Sequence, residues 1–140
     1  MNYDWEPVTA RTYRCRLPFL DVTVGLVCGR DENLLIDCGT TLSEADGIAA
    51  DVRELTGSSV TRLVMTHHHF DHILGGGGFG DAQTYAAPPV AVALSARLPD
   101  ICAEALEYGA DSGEVSRAAR AVRPPDRQVW YAAIDLGRRA

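Results

Sequence analysis

All four histidines of this chain, and one aspartate, lie within His67-His68-His69-Phe70-Asp71-His72. Imidazole and carboxylate are natural ligands for zinc. In an extended segment, side chains two apart point to the same side. His67 and His69 can therefore hold one ion together. Asp71 and His72 are adjacent and diverge, which suits them to a second ion beside the first. Two ions about 3.5–4 Å apart can share a hydroxide and polarise a carbonyl or phosphoryl oxygen. Histidine tracts also arise by chance or as tags, but those sit at termini and lack the aspartate. His68 reads as a spacer, because alternate residues face away.

The elements around the motif must deliver it to one place. Residues 60–66 read as a strand that runs straight into His67. Upstream, residues 8–17 and 22–28 read as strands. Asn33 to Cys38 reads as a third strand, paired with the second across a polar turn as a hairpin. The continuous run Leu34-Leu35-Ile36 fits a strand covered on both faces. Residues 43–55 show helical period, with Ala45, Ile48, Ala49, Val52 and Leu55 on one face. Ser43 is the expected N-cap, with Asp46 three residues on, and Gly57 the expected stop. After the motif, Gly75 to Gly80 reads as a flexible loop, followed by a short strand at 82–87.

Pro88-Pro89 opens a helix that Pro99 interrupts. Asp100 and Ser112 are the expected caps of two further helices, and Pro124-Pro125 stops the last. Residues 128–136 read as a final strand. This order is that of an α/β (or α+β) domain. The motif falls in a loop at the C-terminal end of a strand, a usual place for ligands in such folds.

Composition narrows the function. The chain has 140 residues, 46% of them apolar and 23% charged, which fits one globular domain. Its net charge is -6 and all 13 basic residues are arginine. An acidic chain is not expected to bind nucleic acid. Without lysine there is no Walker A loop and no Schiff base. The four cysteines, Cys15, Cys28, Cys38 and Cys102, form no C-x-x-C pair and no disulfide-like spacing. No signal peptide and no apolar run of membrane length is evident. We expect a cytoplasmic protein with reduced thiols and no membrane partner. Cys38 reads as a small buried strand residue rather than a ligand. Trp5, Tyr13 and Phe19 read as core aromatics.

His-x-His-x-Asp-His after a strand resembles the signature of the metallo-β-lactamase fold superfamily. Leu34-Leu35-Ile36-Asp37-Cys38-Gly39 resembles that family's strand ending in Asp-x-Gly, and Gly75-Gly76 after the motif also fits. The resemblance implies an αβ/βα sandwich. It implies that His67 and His69 bind one metal and Asp71 and His72 a second, with zinc expected and iron or manganese as alternatives. It further implies a metallo-hydrolase acting through a metal-bound hydroxide on an ester, thioester, lactone, lactam or phosphoester bond of a small-molecule substrate. Asp71 would then be the catalytic residue, orienting the nucleophile and receiving its proton. Asp37 either caps a turn or, as is usual for a carboxylate beside a metal histidine, orients that ring. Histidine at position 72 is more like the glyoxalase II and lactonase members, and one β-lactamase subclass, than those β-lactamases with arginine there.

The chain departs from the pattern after the motif. The family adds a third histidine to the first metal, and a bridging aspartate and a last histidine to the second. No histidine follows His72. We therefore read residues 1–140 as the N-terminal portion of the domain: the first sheet and its helices. The alternative is a truncated, non-catalytic metal-binding remnant. With one sheet present, Leu34, Ile36, Leu63 and Met65 are expected to lose part of their cover, and the exposed sheet face to drive self-association.

Overall fold

The computed structural model describes residues 1–130 and 136. Seven strands form one sheet: β1 (Glu6–Thr9), β2 (Thr12–Leu17), β3 (Val22–Cys28), β4 (Asn33–Ile36), β5 (Arg62–Met65), β6 (Gln83–Ala86) and β7 (Arg127–Gln128). Their order in the sheet is their order in the chain. β1 to β4 pair antiparallel; β4 to β7 pair parallel. The helices are α1 (Leu42–Thr56), α2 (Phe70–Ile73), α3 (Pro88–Ala96), α4 (Leu98–Glu107) and α5 (Ser112–Ala121). This is the expected α/β class, seen here as one sheet and its helices. The expected strand at 8–17 is two strands instead, because the chain turns at Ala10-Arg11. Most of the expected strand at 128–136 lies outside the described residues.

The core is one-sided. Cys15, Leu17, Val22, Val24, Leu26, Leu35, Leu63 and Met65 alternate along β2 to β5, as the two-residue strand period requires. They form a single cluster with residues of all five helices: Ile48 and Val52, Phe70 and Ile73, Val90 and Leu94, Ile101 and Ala105, Val115 and Ala118. The opposite rows cross the sheet as Val27, Leu34 and Arg62, and as Gly25, Ile36, Val64 and Tyr85. Leu34 and Ile36 are half-buried there, as expected. Leu63 and Met65 are fully covered, against expectation, because the strand period turns them toward the helices.

Cap chemistry also differs from the sequence expectation. Thr41, not Ser43, caps α1: Glu44 N–H donates to Thr41 Oγ1 (3.0 Å), and Glu44 Oε1 accepts from Thr41 N–H (3.3 Å). That is a complete capping box. Ser43 turns outward and donates to Glu114 Oε1 (2.8 Å), linking α1 to α5. Gly57 ends α1 in the left-handed conformation (φ 77°), as expected. Asp111 rather than Ser112 caps α5, accepting from Glu114 N–H. α4 begins at Leu98 after Arg97, and Asp100 sits inside its first turn.

Asp51 is wholly buried on α1. It accepts from Asn2 N–H (2.7 Å), Tyr3 N–H (2.9 Å) and Trp5 Nε1–H (2.9 Å), which ties the N-terminal segment to the helix. Truncation to alanine would leave those donors unmatched. We expect Asp51→Ala to cost about 3 kcal/mol of stability, read from urea unfolding followed by tryptophan fluorescence. An unchanged unfolding midpoint would contradict this role.

Candidate metal centre

The site forms where β4 and β5 end side by side. Ile36 pairs with Val64, and Asp37 N–H continues the ladder to Val64 C=O (2.9 Å). Asp37 then adopts a left-handed backbone (φ 64°), uncommon for a residue with a side chain. The residue is 4% exposed, and buried charge needs partners. Oδ1 accepts from Thr66 N–H (2.9 Å), and Oδ2 accepts from Thr66 Oγ1–H (2.8 Å). Oδ2 also lies 2.7 Å from His72 Nδ1. One carboxylate thus joins the end of β4, the end of β5 and the first turn of α2.

The chain bends at His67 and His68 as it leaves β5, and His69 has extended angles (φ -72°, ψ 139°) as the residue before α2. The His67 and His69 rings meet, with centroids 4.7 Å apart. The turn of α2 swings His72 back until its ring lies 4.1 Å from that of His67. Asp71 Oδ2 stands 3.8 Å from His72 Nε2. Two ligand atoms each about 2.0–2.2 Å from one zinc can be no more than about 4.4 Å apart, so this pair fits a shared ion. Single ligand atoms of Asp37, His67 and His72 also lie within 4.8 Å of one another. Both Asp37 oxygens are already occupied by donors. We therefore read Asp37 as orienting His72 rather than as a ligand of choice.

Electrostatics favour ligation. Burial first, then the neighbouring His72 and His69 rings, push the His67 imidazole below its ordinary pKa. Its neutral form, the form that binds metal, is thereby favoured. Cys38 donates through Sγ to His72 C=O (3.3 Å), and complete burial pushes its thiol well up. It is a packed thiol, as expected. His68 lies beside Pro88, Pro89 and Trp130, with its ring 5.5 Å from that of His69. The residue missed in the sequence is Thr66. Its position directly before the first histidine was the available signal.

The glycine-rich stretch is not a flexible loop. Leu74–Phe79 forms a 3-10 helix directly after α2. A side-chain carbon on Gly75 would come within 2.4 Å of Cys38 C=O, and one on Gly77 or Gly78 within 2.4 or 2.5 Å of the Ala121 or Ala45 methyl. These glycines let the segment press against the β4 end, α5 and α1. They hold α2, and with it Asp71 and His72, at a fixed height over the strand ends.

Comparison with known proteins bears on the family and the fold. A family model described as the metallo-beta-lactamase superfamily matches residues 17–137. A metallo-beta-lactamase from Erythrobacter litoralis is similar in fold, with TM-score 0.63 and 16% identity, over 94% of this chain and 52% of that one. One from Hirschia baltica gives TM-score 0.60 and 13% identity, over 94% and 54%. One from Pseudomonas aeruginosa, solved in a mono-zinc form, gives 0.57 and 15%, over 94% and 52%. The chain thus spans about half the length of these structures. No protein of curated function matches.

Gly75 offers a direct test of the packing that seats α2. Gly75→Ala should cost about 1–3 kcal/mol, the usual range for forcing a methyl into a filled space, read as a lower urea midpoint. Wild-type stability in this variant would show that the contact with Cys38 gives way freely.

Proposed function

The chain belongs to the metallo-beta-lactamase superfamily, and from that premise we propose that it carries the first ligand set of a metal-dependent hydrolase. The observation that carries this reading is the convergence of the His67, His69 and His72 rings beside the Asp71 carboxylate at the end of β5. His67 and His69 hold one ion, and Asp71 and His72 a second. Zinc is the metal we favour for this imidazole and carboxylate set, with iron or manganese as alternatives. Such ions supply Lewis-acid polarisation of a carbonyl or phosphoryl oxygen and a water made acidic enough to react near neutral pH.

The chain's own residues do the rest. Asp37 fixes the His72 ring through Nδ1, which leaves Nε2 beside Asp71. The Asp71 carboxylate is one-fifth exposed, so it can orient an incoming water and take its proton. The substrate class is a small molecule with an ester, thioester, lactone, lactam or phosphoester bond. No helix of the described residues is long and apolar enough to cross a membrane. Four free cysteines fit a reducing, cytoplasmic setting.

A second reading, metal held without turnover, is favoured by ligand count. A catalytic zinc normally has three protein ligands, whereas this histidine and aspartate set offers each of two ions two. On either reading, residues 1–140 correspond to the N-terminal portion of the domain. Half-buried Val27, Leu34, Ile36 and Val64 lie on the sheet face away from the helices. We assign self-association to that face. Light scattering should give a mass above 15.1 kDa, falling to the monomer value in Leu34→Glu.

Zinc binding by equilibrium dialysis tests the main reading. His67→Ala, His69→Ala and His72→Ala should each weaken binding at least about tenfold, and His68→Ala should leave it unchanged. With p-nitrophenyl acetate and bis(p-nitrophenyl) phosphate as probes, chelation should abolish turnover. Asp71→Ala should lower turnover by about 10²-fold or more with an unchanged circular dichroism spectrum. Zinc bound without turnover would select the second reading. No zinc binding would sink both.

A further inference from the structure

We propose that Thr66 is a positioning residue that carries the Asp37 carboxylate to His67, so that one buried acid sets the ring tautomers of two metal-facing histidines. The inference rests on the metal-holding reading above, but its geometry stands by itself. Thr66 Oγ1 lies 2.8 Å from Asp37 Oδ2 and 2.8 Å from His67 Nδ1. His72 Nδ1 lies 2.7 Å from the same Oδ2.

Donor and acceptor counting assigns the protons. A charged carboxylate only accepts. The single Thr66 O–H therefore points to Asp37, and the Thr66 oxygen is left to accept. Nδ1 of neutral His67 must then be the N–H donor, which leaves the lone pair on Nε2. The same reasoning places the proton of neutral His72 on Nδ1, facing Asp37, and its lone pair on Nε2, toward Asp71. Without the hydroxyl, neutral His67 has no partner among the described hydrogen bonds that fixes which nitrogen carries its proton. His69 has no such tie among the described hydrogen bonds, and its ring is placed by the backbone and by contact with the rings of His67 and His68.

The backbone N–H of Thr66 also donates to Asp37 Oδ1 (2.9 Å), and this bond survives any side-chain change. Thr66→Val keeps the shape and removes only the hydroxyl; Thr66→Ser restores it. The test is long-range ¹⁵N–¹H correlation of the imidazoles in the metal-free 140-residue chain, at about pH 8, where histidine is neutral. His67 should be protonated at Nδ1 in the wild type and in Thr66→Ser, and a mixture of both forms in Thr66→Val. Zinc affinity by competition with a chromophoric chelator should fall roughly 10–100-fold in Thr66→Val and return in Thr66→Ser.

A wild-type His67 protonated at Nε2 overturns the proposal whether or not any variant folds. So does a Thr66→Val protein whose tautomer and zinc affinity match the wild type. A wild type that binds no zinc but shows the Nδ1–H form of His67 overturns the metal-holding reading instead and leaves the relay standing.

Discussion

The site depends on one buried negative charge. Asp37 stands at the end of β4 with a left-handed backbone and almost no exposure. An acid in that position is tolerable only if every oxygen finds a donor. The donors come from two other elements: Thr66 at the end of β5 and His72 in α2. The demand of one carboxylate therefore draws the end of β4 to the end of β5 and the start of α2, 29 and 35 residues further along the chain. Thr66 and His72, the two partners, bracket the histidine cluster. With the strand ends and the helical turn locked, the rings have little choice of place.

Packing supplies the rigidity that hydrogen bonds alone would not. α2 is a single turn, too short to be stable in isolation. It continues into the 3-10 segment, whose glycines bring backbone against the β4 end, α1 and α5. Gly75 N–H donates to Gly39 C=O (3.0 Å), and Cys38 N–H donates to His72 C=O (3.1 Å). The loop after β4 and the segment after the motif are thus stitched together directly after Asp37. Glu44 closes the arrangement from α1, accepting from the Thr40 and Thr41 amides, and its burial pushes its carboxyl pKa up.

Much of this was legible in the residues, for local reasons. Two-residue spacing pointed to a meeting of His67 and His69, although the chain bends between them instead of staying extended. The run to Met65 foretold the strand that delivers them. The Asp-x-Gly stretch pointed to Asp37. What was not legible depended on partners distant in the chain. Nothing near Asp51 announces that a carboxylate on the covered side of α1 will be matched by two backbone amides and an indole N–H some 46 to 49 residues earlier. The glycines read as slack because their lack of side chains signals freedom when no neighbour is known. Here it signals close approach. The α1 cap was available: Thr41-Leu42-Ser43-Glu44 is itself a capping-box pattern, obscured by a second hydroxyl at Ser43. Thr66 was overlooked because threonine at a strand end is ordinary, and only the placement of Asp37 gives its hydroxyl a task.

The unbroken strand order has a consequence for how the chain assembles during synthesis. Each strand pairs with the one made just before it, and a ribosome releases residues N-terminal first, at about 5–20 per second. β1 to β4 are joined by short turns, and hairpins close in about 1–10 μs. Those strands can therefore dock almost as soon as they emerge. The sheet then widens from its growing edge, and no strand must later be threaded between two already in place. The edge that stays behind is β1, which carries Pro7, a residue that withholds a backbone donor from would-be partners. Assembly thus has a direction, with a blunted border where it began and a receptive one where it proceeds.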